Sequence, residues 1–561
     1  MVLSISKYFA KSALFILILN LSVFTSKNIL AQSNIEIHTA QKVYIADSLQ
    51  TSIECFAVKD GYIIFTGSLF DAKTSYPSAK VLSHSGVITP GFIDAHCHFL
   101  AYCRGRKEVA LFGMVSKEKT VKAVKKFARK SKRDWVIGRG WDQNLWETKD
   151  FPVSSDLNGI KKPVCLSRVD GHAIWLNDVA LKTLNENWDT LINGGEIVKT
   201  KDGKPSGVFI DNAADWIQSK IPPMDEKTLT ETVSKGAKNC YAQGLTTLDE
   251  AGLNVNEINF LKKLQQSGML KMRFYAMLSA NPESLAAIAS GNIEETEFMS
   301  IRSMKIYLDG ALGSRGALLK SSYCDRHHHH GLQITPVSEL TFYSSYLLSK
   351  NFQVCVHAIG DSANAIVADI FSKTIPANFD ARWRIEHAQI MDPKDQKKIA
   401  NKSILPSVQP THATSDAPWA LDRLCNDSHP PKGRNKYSRI TGAYAYSDLL
   451  KQSGIIALGT DFPVEDISTM ATFYSATQRK DIQGKLQQPF LPNQALTRNQ
   501  ALLGMTLWAA HANREDQVKG SITVGKFADF IVLSDDLLTV EVEKLKKIKV
   551  KKTYISGQRV F

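Results

Sequence analysis

Two histidines two residues apart, His96 and His98, close an apolar run that reads Val87-Ile88-Thr89-Pro90-Gly91-Phe92-Ile93-Asp94-Ala95-His96-Cys97-His98. In an extended strand residues i and i+2 face the same side, so the two imidazoles converge on one point while Cys97 faces away. Asp94 shares the histidine face one step back. Further along, Lys305, His357, His387 and Asp461 each stand at or near the C-terminal end of another apolar run. Imidazole and carboxylate donors of this kind suit Zn2+ or a similar divalent cation. One histidine after a strand is ordinary core. Four histidines, a lysine and an aspartate spread over five candidate strands point instead to a metal-dependent hydrolase.

The elements that must position these residues are strand-like runs at residues 246–248, 273–278, 304–309, 353–357, 383–387, 405–409 and 455–461, alternating with helical stretches. With the opening strand they number eight. Alternating strands and helices imply a parallel sheet, and eight such units imply a closed (β/α)8 TIM-like barrel whose active site lies at the C-terminal ends of the strands. The gap between the first and second strands is too long for a normal crossover. It is expected to hold an inserted α/β subdomain over about residues 105–230. Short strands with turns occupy residues 32–88 and 512–561, and these are expected to form one small composite β-sandwich bracketing a barrel domain over 89–511.

Composition is that of a globular protein: 43% hydrophobic and 22% charged over 561 residues. Lys and Arg exceed Asp and Glu by 69 to 55, a net charge of +14. The excess lysines are dispersed over solvated faces, without interleaved aromatics or a recognisable module, so no nucleic-acid partner is expected. Residues 1–31 read as a secretory signal, with Lys7 and Lys11 before an apolar stretch at 12–24 and cleavage after Ala31. That stretch is short against the roughly 20 residues a membrane span needs. The mature chain is therefore expected to be exported, periplasmic or secreted, with no stable membrane insertion. The eight cysteines are scattered and show no disulfide framework, so most read as buried fillers. Cys97 and Cys103 lie close enough in sequence to the histidine pair to influence metal choice. A homodimer is allowed for.

The ordered set of motifs resembles the amidohydrolase superfamily, and within it the amidohydrolase-3 (YtcJ-like) family. Matching segments are Pro90-Gly91-Phe92-Ile93-Asp94-Ala95-His96-Cys97-His98, Gly140-Trp141-Asp142, Arg168-Val169-Asp170-Gly171-His172, Gly244-Leu245-Thr246-Thr247 and Lys305-Ile306-Tyr307-Leu308-Asp309-Gly310 running on to Arg315. They continue with His357-Ala358-Ile359-Gly360-Asp361, Arg384-Ile385-Glu386-His387-Ala388-Gln389, Gln409-Pro410-Thr411-His412, Gly459-Thr460-Asp461-Phe462-Pro463-Val464 and Gly525-Lys526-Phe527-Ala528-Asp529.

The resemblance implies that His96, His98 and Asp461 bind one metal and His357 and His387 a second. Lys305, carboxylated by CO2, would bridge them as a carbamate. A free ammonium between two dications would be repelled. The competing reading keeps Lys305 unmodified, paired with Asp309 or Glu386 beside a single ion. One or two ions per chain, Zn2+ or another divalent metal, are therefore expected. The metal would generate hydroxide from water near neutral pH, with Asp461 orienting it and carrying its proton to the leaving group. His172 and His412 are the candidate carbonyl or leaving-group contacts. Asp170, Gln409, Arg315 and Trp141 are the candidate substrate contacts, although a buried aromatic is the plainer reading of Trp141. His172 contributes only if the insertion folds over the barrel mouth. The run His327-His328-His329-His330 reads as a surface loop, and Glu250 as loop-end polarity rather than a bridging carboxylate.

The expected reaction is hydrolysis of a non-peptide carbon–nitrogen bond in a small N-acyl or cyclic amide. Deamination of a ring amine falls behind, because no Glu closely follows His357 and because Lys305 is present. Ester or lactone hydrolysis would use the same machinery. A catalytically inactive binding homologue would be expected to have lost ligands, and all six stand in place.

Overall fold

The computed structural model describes residues 35–400, 403–425 and 439–561. The segment read as a secretory signal lies outside them. Eight parallel strands form the central sheet in strict chain order: Phe92–Cys97, Leu245–Leu253, Arg273–Ser279, Met299–Tyr307, Gln353–Ala358, Trp383–His387, Ile404–Val408 and Ala457–Leu458. Strands of such a barrel are covered on both faces and so read as continuous apolar runs. Phe92–Cys97 and Gln353–Ala358, for example, are buried at every position. The last strand is only two residues long, and irregular backbone completes the ring. Asp461 N donates to His96 O at 2.8 Å, and His98 N donates to Phe462 O at 2.8 Å.

Between the first two barrel strands a six-stranded sheet forms, running from Val109–Ala110 to Pro205–Asp211. Its first three strands, Val109–Ala110, Val136–Trp141 and Val164–Arg168, pair parallel; Ala173–Leu176, Pro205–Asp211 and Gly195–Lys199 then add antiparallel. Trp141, Trp146 and Trp175 pack in its core with Leu157, Val164 and Val208. Polar contacts fix this unit to the barrel loops. Arg423 Nη2 donates to Asn144 Oδ1 at 2.5 Å, and Asn144 Nδ2 reaches Gly313 O at 3.4 Å.

The two chain ends meet in one seven-stranded sheet, in which Phe530–Leu533 pairs antiparallel with Lys80–Pro90. Lys80–Pro90 runs on directly into the first barrel strand, where Gly91 N donates to Asp529 O at 3.0 Å. This sheet buries a histidine pair. His38 Nδ1 lies 3.0 Å from His84 Nε2, and His84 Nδ1 lies 3.2 Å from Lys552 Nζ, among Phe56, Phe530 and Tyr554. Burial is the main force lowering both imidazoles, His38 to about 3 and His84 to about 4, and nearby cations add to it.

Two expectations need correction. Cys324 and Cys425 are joined in a disulfide that ties the loop after the fourth barrel strand to the end of the helix Pro410–Leu424. Their separation of 101 residues gave no pairing signal. The other six cysteines are buried thiols. Glu250 is not loop-end polarity. It lies buried within the second barrel strand and accepts from Phe99 N at 2.5 Å and Leu100 N at 3.0 Å. Those are orphan donors of the helix Phe99–Gly105, which begins directly after His98, so Glu250 caps the helix that carries the chain away from the site.

Candidate metal centre

The centre is built where the first and last barrel strands meet. Asp94 accepts from Thr460 N at 2.9 Å and Thr460 Oγ1 at 2.6 Å, and so fastens the strand of His96 to the loop of Asp461. Gly459 allows the approach, since a side-chain carbon there would lie 2.5 Å from His96 N. His98 Nε2 then lies 3.3 Å, and His96 Nε2 3.8 Å, from Asp461 Oδ1. On the other side of the same carboxylate, His412 Nε2 lies 3.6 Å from Oδ2. His387 completes that group, its Nδ1 held at 2.8 Å by Gln409 Oε1. Two sets of three donors, His96-His98-Asp461 and His387-His412-Asp461, therefore share one aspartate. Burial opposes ionisation of Asp461, but His98, His96 and His387 outweigh it and hold the carboxyl well below the usual range.

The orientation of His96 is fixed from behind. Its Nδ1 lies 2.5 Å from Glu386 Oε2, which leaves Nε2 facing Asp461. A carboxylate behind a ligating imidazole sets its tautomer and raises its basicity. Glu386 is fully buried, yet Arg384 and His96 overcome the burial and keep it ionised. Arg384 Nε meets Glu386 Oε1 at 2.7 Å. The same guanidinium donates to Asp249 Oδ2 at 2.9 Å, Ser407 Oγ at 2.9 Å, Asn513 Oδ1 at 3.0 Å and the carbonyl of Ala95. This network closes the floor of the barrel beneath the histidines.

Lys305 Nζ lies 3.2 Å from His96 Nε2 and 4.7 Å from the centre of the Tyr307 ring. Burial pulls its pKa down to about 8 against the pull of Glu386 and Asp461. It forms no ion pair with Asp309 or Glu386. Asp309 is instead occupied by Leu318 N and Gly360 N, each at 2.8 Å, and Ile359 N at 3.0 Å. His357 stands outside both three-donor groups: its Nε2 lies 3.4 Å from Gly310 O, and its ring packs 4.5 Å from that of His387. Cys97 and Cys103 do not join the donors. Cys97 Sγ faces Asp249 O at 3.6 Å on the far side of the strand.

The insertion does reach the barrel mouth. The His172 ring lies 5.0 Å from that of His357, and its Nδ1 is held at 2.7 Å by Asp211 Oδ1. Burial lowers the His172 pKa, but Asp211, Asp170 and Asp215 carry it up to about 9. The remaining candidates are placed differently. Asp170 is bonded to Arg168, which also holds Asp142 at 2.5 Å, and accepts from His172 N at 3.0 Å. Arg315 pairs with Asp325 at 3.0 Å. Gln409 touches His387, as described. Trp141 is fully buried, with its Nε1 donating to Leu166 O at 2.8 Å, and belongs to the core of the insertion. In the four-histidine run, His329 Nε2 donates to Arg315 O at 2.8 Å while His327, His328 and His330 are exposed. Sequence reasoning missed Asp211, Arg384, Asp249 and the role of Glu386, because their partners lie far away in sequence.

The donors fit a divalent cation on one structural ground in particular. Among the described residues, buried Asp461 Oδ1 and His412 Nε2 make no well-aligned hydrogen bond, although His98 Nε2 lies 3.3 Å from Oδ1, and such an arrangement costs free energy unless something else satisfies them. The amidohydrolase family profile matches residues 85–561.

The chain belongs to the amidohydrolase family.

This amidohydrolase-family chain is 31% identical over 518 residues to YtcJ of Bacillus subtilis (strain 168), an amidohydrolase by name; the match covers 91% of this chain and 96% of the relative. It is 23% identical to the N-substituted formamide deformylase of Arthrobacter pascens, over 92% of this chain and 96% of that one. A crystal structure of an uncharacterised metal-dependent hydrolase from Pyrococcus horikoshii OT3 shares the fold. Its TM-score is 0.73 at 23% identity, covering 91% of this chain and 99% of that one. Family membership makes the chain a hydrolase and implies a divalent metal.

Proposed function

We propose that the protein hydrolyses carbon–nitrogen bonds other than peptide bonds in a small N-acyl or cyclic amide. The observation that carries this reading is the single buried carboxylate, Asp461, shared by two histidine groups, whose Oδ1 faces His96 and His98 without a well-aligned hydrogen bond among the described residues. The similarity to a formamide deformylase supports an amide over other substrates. His96, His98 and Asp461 would hold one cation, and His387 a second with His357. Lys305 would join the two as a carbamate, since an amine held near pKa 8 is partly neutral and able to take up CO2. When bound, such an ion polarises a carbonyl and makes water nucleophilic at neutral pH.

The chain's own groups supply the rest. Asp461, ionised at neutral pH, accepts the proton of the attacking water at a carboxylate oxygen. His412 Nε2, 3.6 Å from Asp461 Oδ2, hydrogen-bonds the substrate carbonyl or the departing group. His172, kept protonated by Asp211, donates from the insertion side to the leaving nitrogen. The insertion also excludes water by closing over that side of the mouth. The signal-like residues 1–31 support placing the mature protein outside the cytoplasm.

The test is chelation followed by Zn2+ reconstitution, assayed on N-formyl and N-acyl amines, N-acyl amino acids, cyclic amides, esters and ring amines. Cleavage of one of the amides, lost on chelation and restored by Zn2+, is expected. Turnover of ring amines or esters alone, or of nothing, would overturn the reading.

A further inference from the structure

Several arginines of the barrel and the insertion are held by carboxylates, and Arg139 differs from them. Arg168 holds Asp142 and Asp170, Arg315 and Arg423 share Asp325, and Arg384 holds Glu386 and Asp249. Arg139, on the strand Val136–Trp141 of the insertion, makes no ion pair among the described residues. Its Nη2 donates to Val169 O at 3.3 Å, and its Nε is buried with no partner. The guanidinium lies directly under Gly171, where a side-chain carbon would come within 3.4 Å of Nη2, and Gly171 is the neighbour of His172. Arg139 thus stands beside the one residue that the insertion sends to the metal centre.

Its electrostatic setting points the same way. The carboxylates whose charge reaches it are Asp461 foremost, then Glu108 and Asp170, with none in ion-pair contact among the described residues. Asp170 is already spent on Arg168. Among the described residues Glu108 is held by no salt bridge of its own, and burial disfavours its charge. Once Asp461 serves a cation, its field no longer compensates Arg139. A half-buried guanidinium without a counter-ion carries part of the desolvation cost of a buried charge, and that part is recovered when an anion arrives. The planar fork of arginine matches a carboxylate in particular, with two parallel donors to its two oxygens.

We propose that Arg139 is the specificity-determining clamp for a carboxylate on the substrate, so that the amides this protein selects are N-acyl amino acids or related carboxylated amides. The inference rests on the amidase reading and narrows it. Arg139 touches no reacting atom. It sets which substrate is held, with the free carboxylate on the insertion side and the amide over the histidines.

The experiment measures binding of N-benzoylglycine and its neutral counterpart N-benzoylglycinamide to Zn2+-loaded full-length protein by calorimetry, alongside their hydrolysis. Wild type is expected to bind the carboxylate at least tenfold more tightly. Arg139→Gln is expected to abolish that preference without changing affinity for the amide. Arg139→Lys, which keeps the charge but not the fork, is expected to keep part of it and covers the case in which the Gln variant does not fold. Equal binding of both ligands by wild type overturns the proposal. So does a preference that persists undiminished in the variants, which would mean that the carboxylate binds the zinc directly. If the preference follows Arg139 but no amide is cleaved, the clamp stands and the amidase reading falls.

Discussion

The ring of His172, carried by the insertion, lies 5.0 Å from the ring of His357 at the end of the fifth barrel strand, so the centre is made of two units rather than one. The contact depends on Asp211, whose carboxylate holds His172 at 2.7 Å and whose backbone N donates to His172 O at 2.8 Å.

Replacing His172 with Asn is therefore expected to lower kcat by about 10²–10⁴-fold, the usual worth of a positioned general acid. Asp211→Asn should produce a smaller loss in the same direction, because the imidazole remains but its orientation and charge do not. Bound metal, measured by elemental analysis, should be unchanged in both, since neither residue is among those proposed to hold the cations. Loss of metal would place them in the metal site itself.

Glu386 is expected to act on affinity rather than on the reaction. Glu386→Gln removes the carboxylate behind His96 and should weaken Zn2+ binding by about 10–100-fold. It also strands Arg384, so folding stability should fall by about 3–5 kcal/mol, read by urea denaturation of the metal-free protein. Asp249→Asn should share the loss of stability, with a smaller effect on zinc.

Gly310 tests how the insertion is seated. A β-carbon at this position would lie 2.4 Å from Asp211 Oδ2, closer than any real contact. Gly310→Ala should therefore push Asp211 away from His172 and reproduce the activity loss of Asp211→Asn, a decrease of about tenfold or more in kcat/KM, while far-ultraviolet circular dichroism stays unchanged.

The sheet formed by the chain ends should respond to acid. His38 and His84 are neutral in the folded state well below their ordinary value of 6.5, whereas in the unfolded chain they take up protons near it. Between those limits the unfolded state binds more protons, so stability is full above about pH 6.5 and is lost as pH falls toward 4. From pH 7 to pH 5 the loss should be about 2 kcal/mol for each histidine, about 3–4 kcal/mol for the pair, measured by denaturant midpoints. His38→Phe should flatten that slope.

The barrel and the strand-end positions of the candidate site residues were legible because strand alternation is local. His96 and His98 declare their shared face by their spacing, and Lys305, His387 and Asp461 by standing at the ends of apolar runs. Asp211 was not legible. It lies 39 residues from His172 and finds it only through antiparallel pairing within the insertion. Arg384 reads as one more polar residue in a strand until Asp249 and Asn513, from distant parts of the chain, fold around it. Trp141 shows the converse: a motif tryptophan suggests a binding surface, but its surroundings of Trp146, Trp175 and Phe151 make it core.

The seam between the first and last barrel strands has a temporal meaning. His96 and Asp461 are separated by most of the chain, yet Asp461 N bonds to His96 O, and both side chains belong to the same donor group. A ribosome-bound chain therefore carries His96 and His98 for a long time without a place to put an ion. Only when Asp461 has emerged and the ring has shut does the trap exist, so reactivity comes last in the life of the newborn protein.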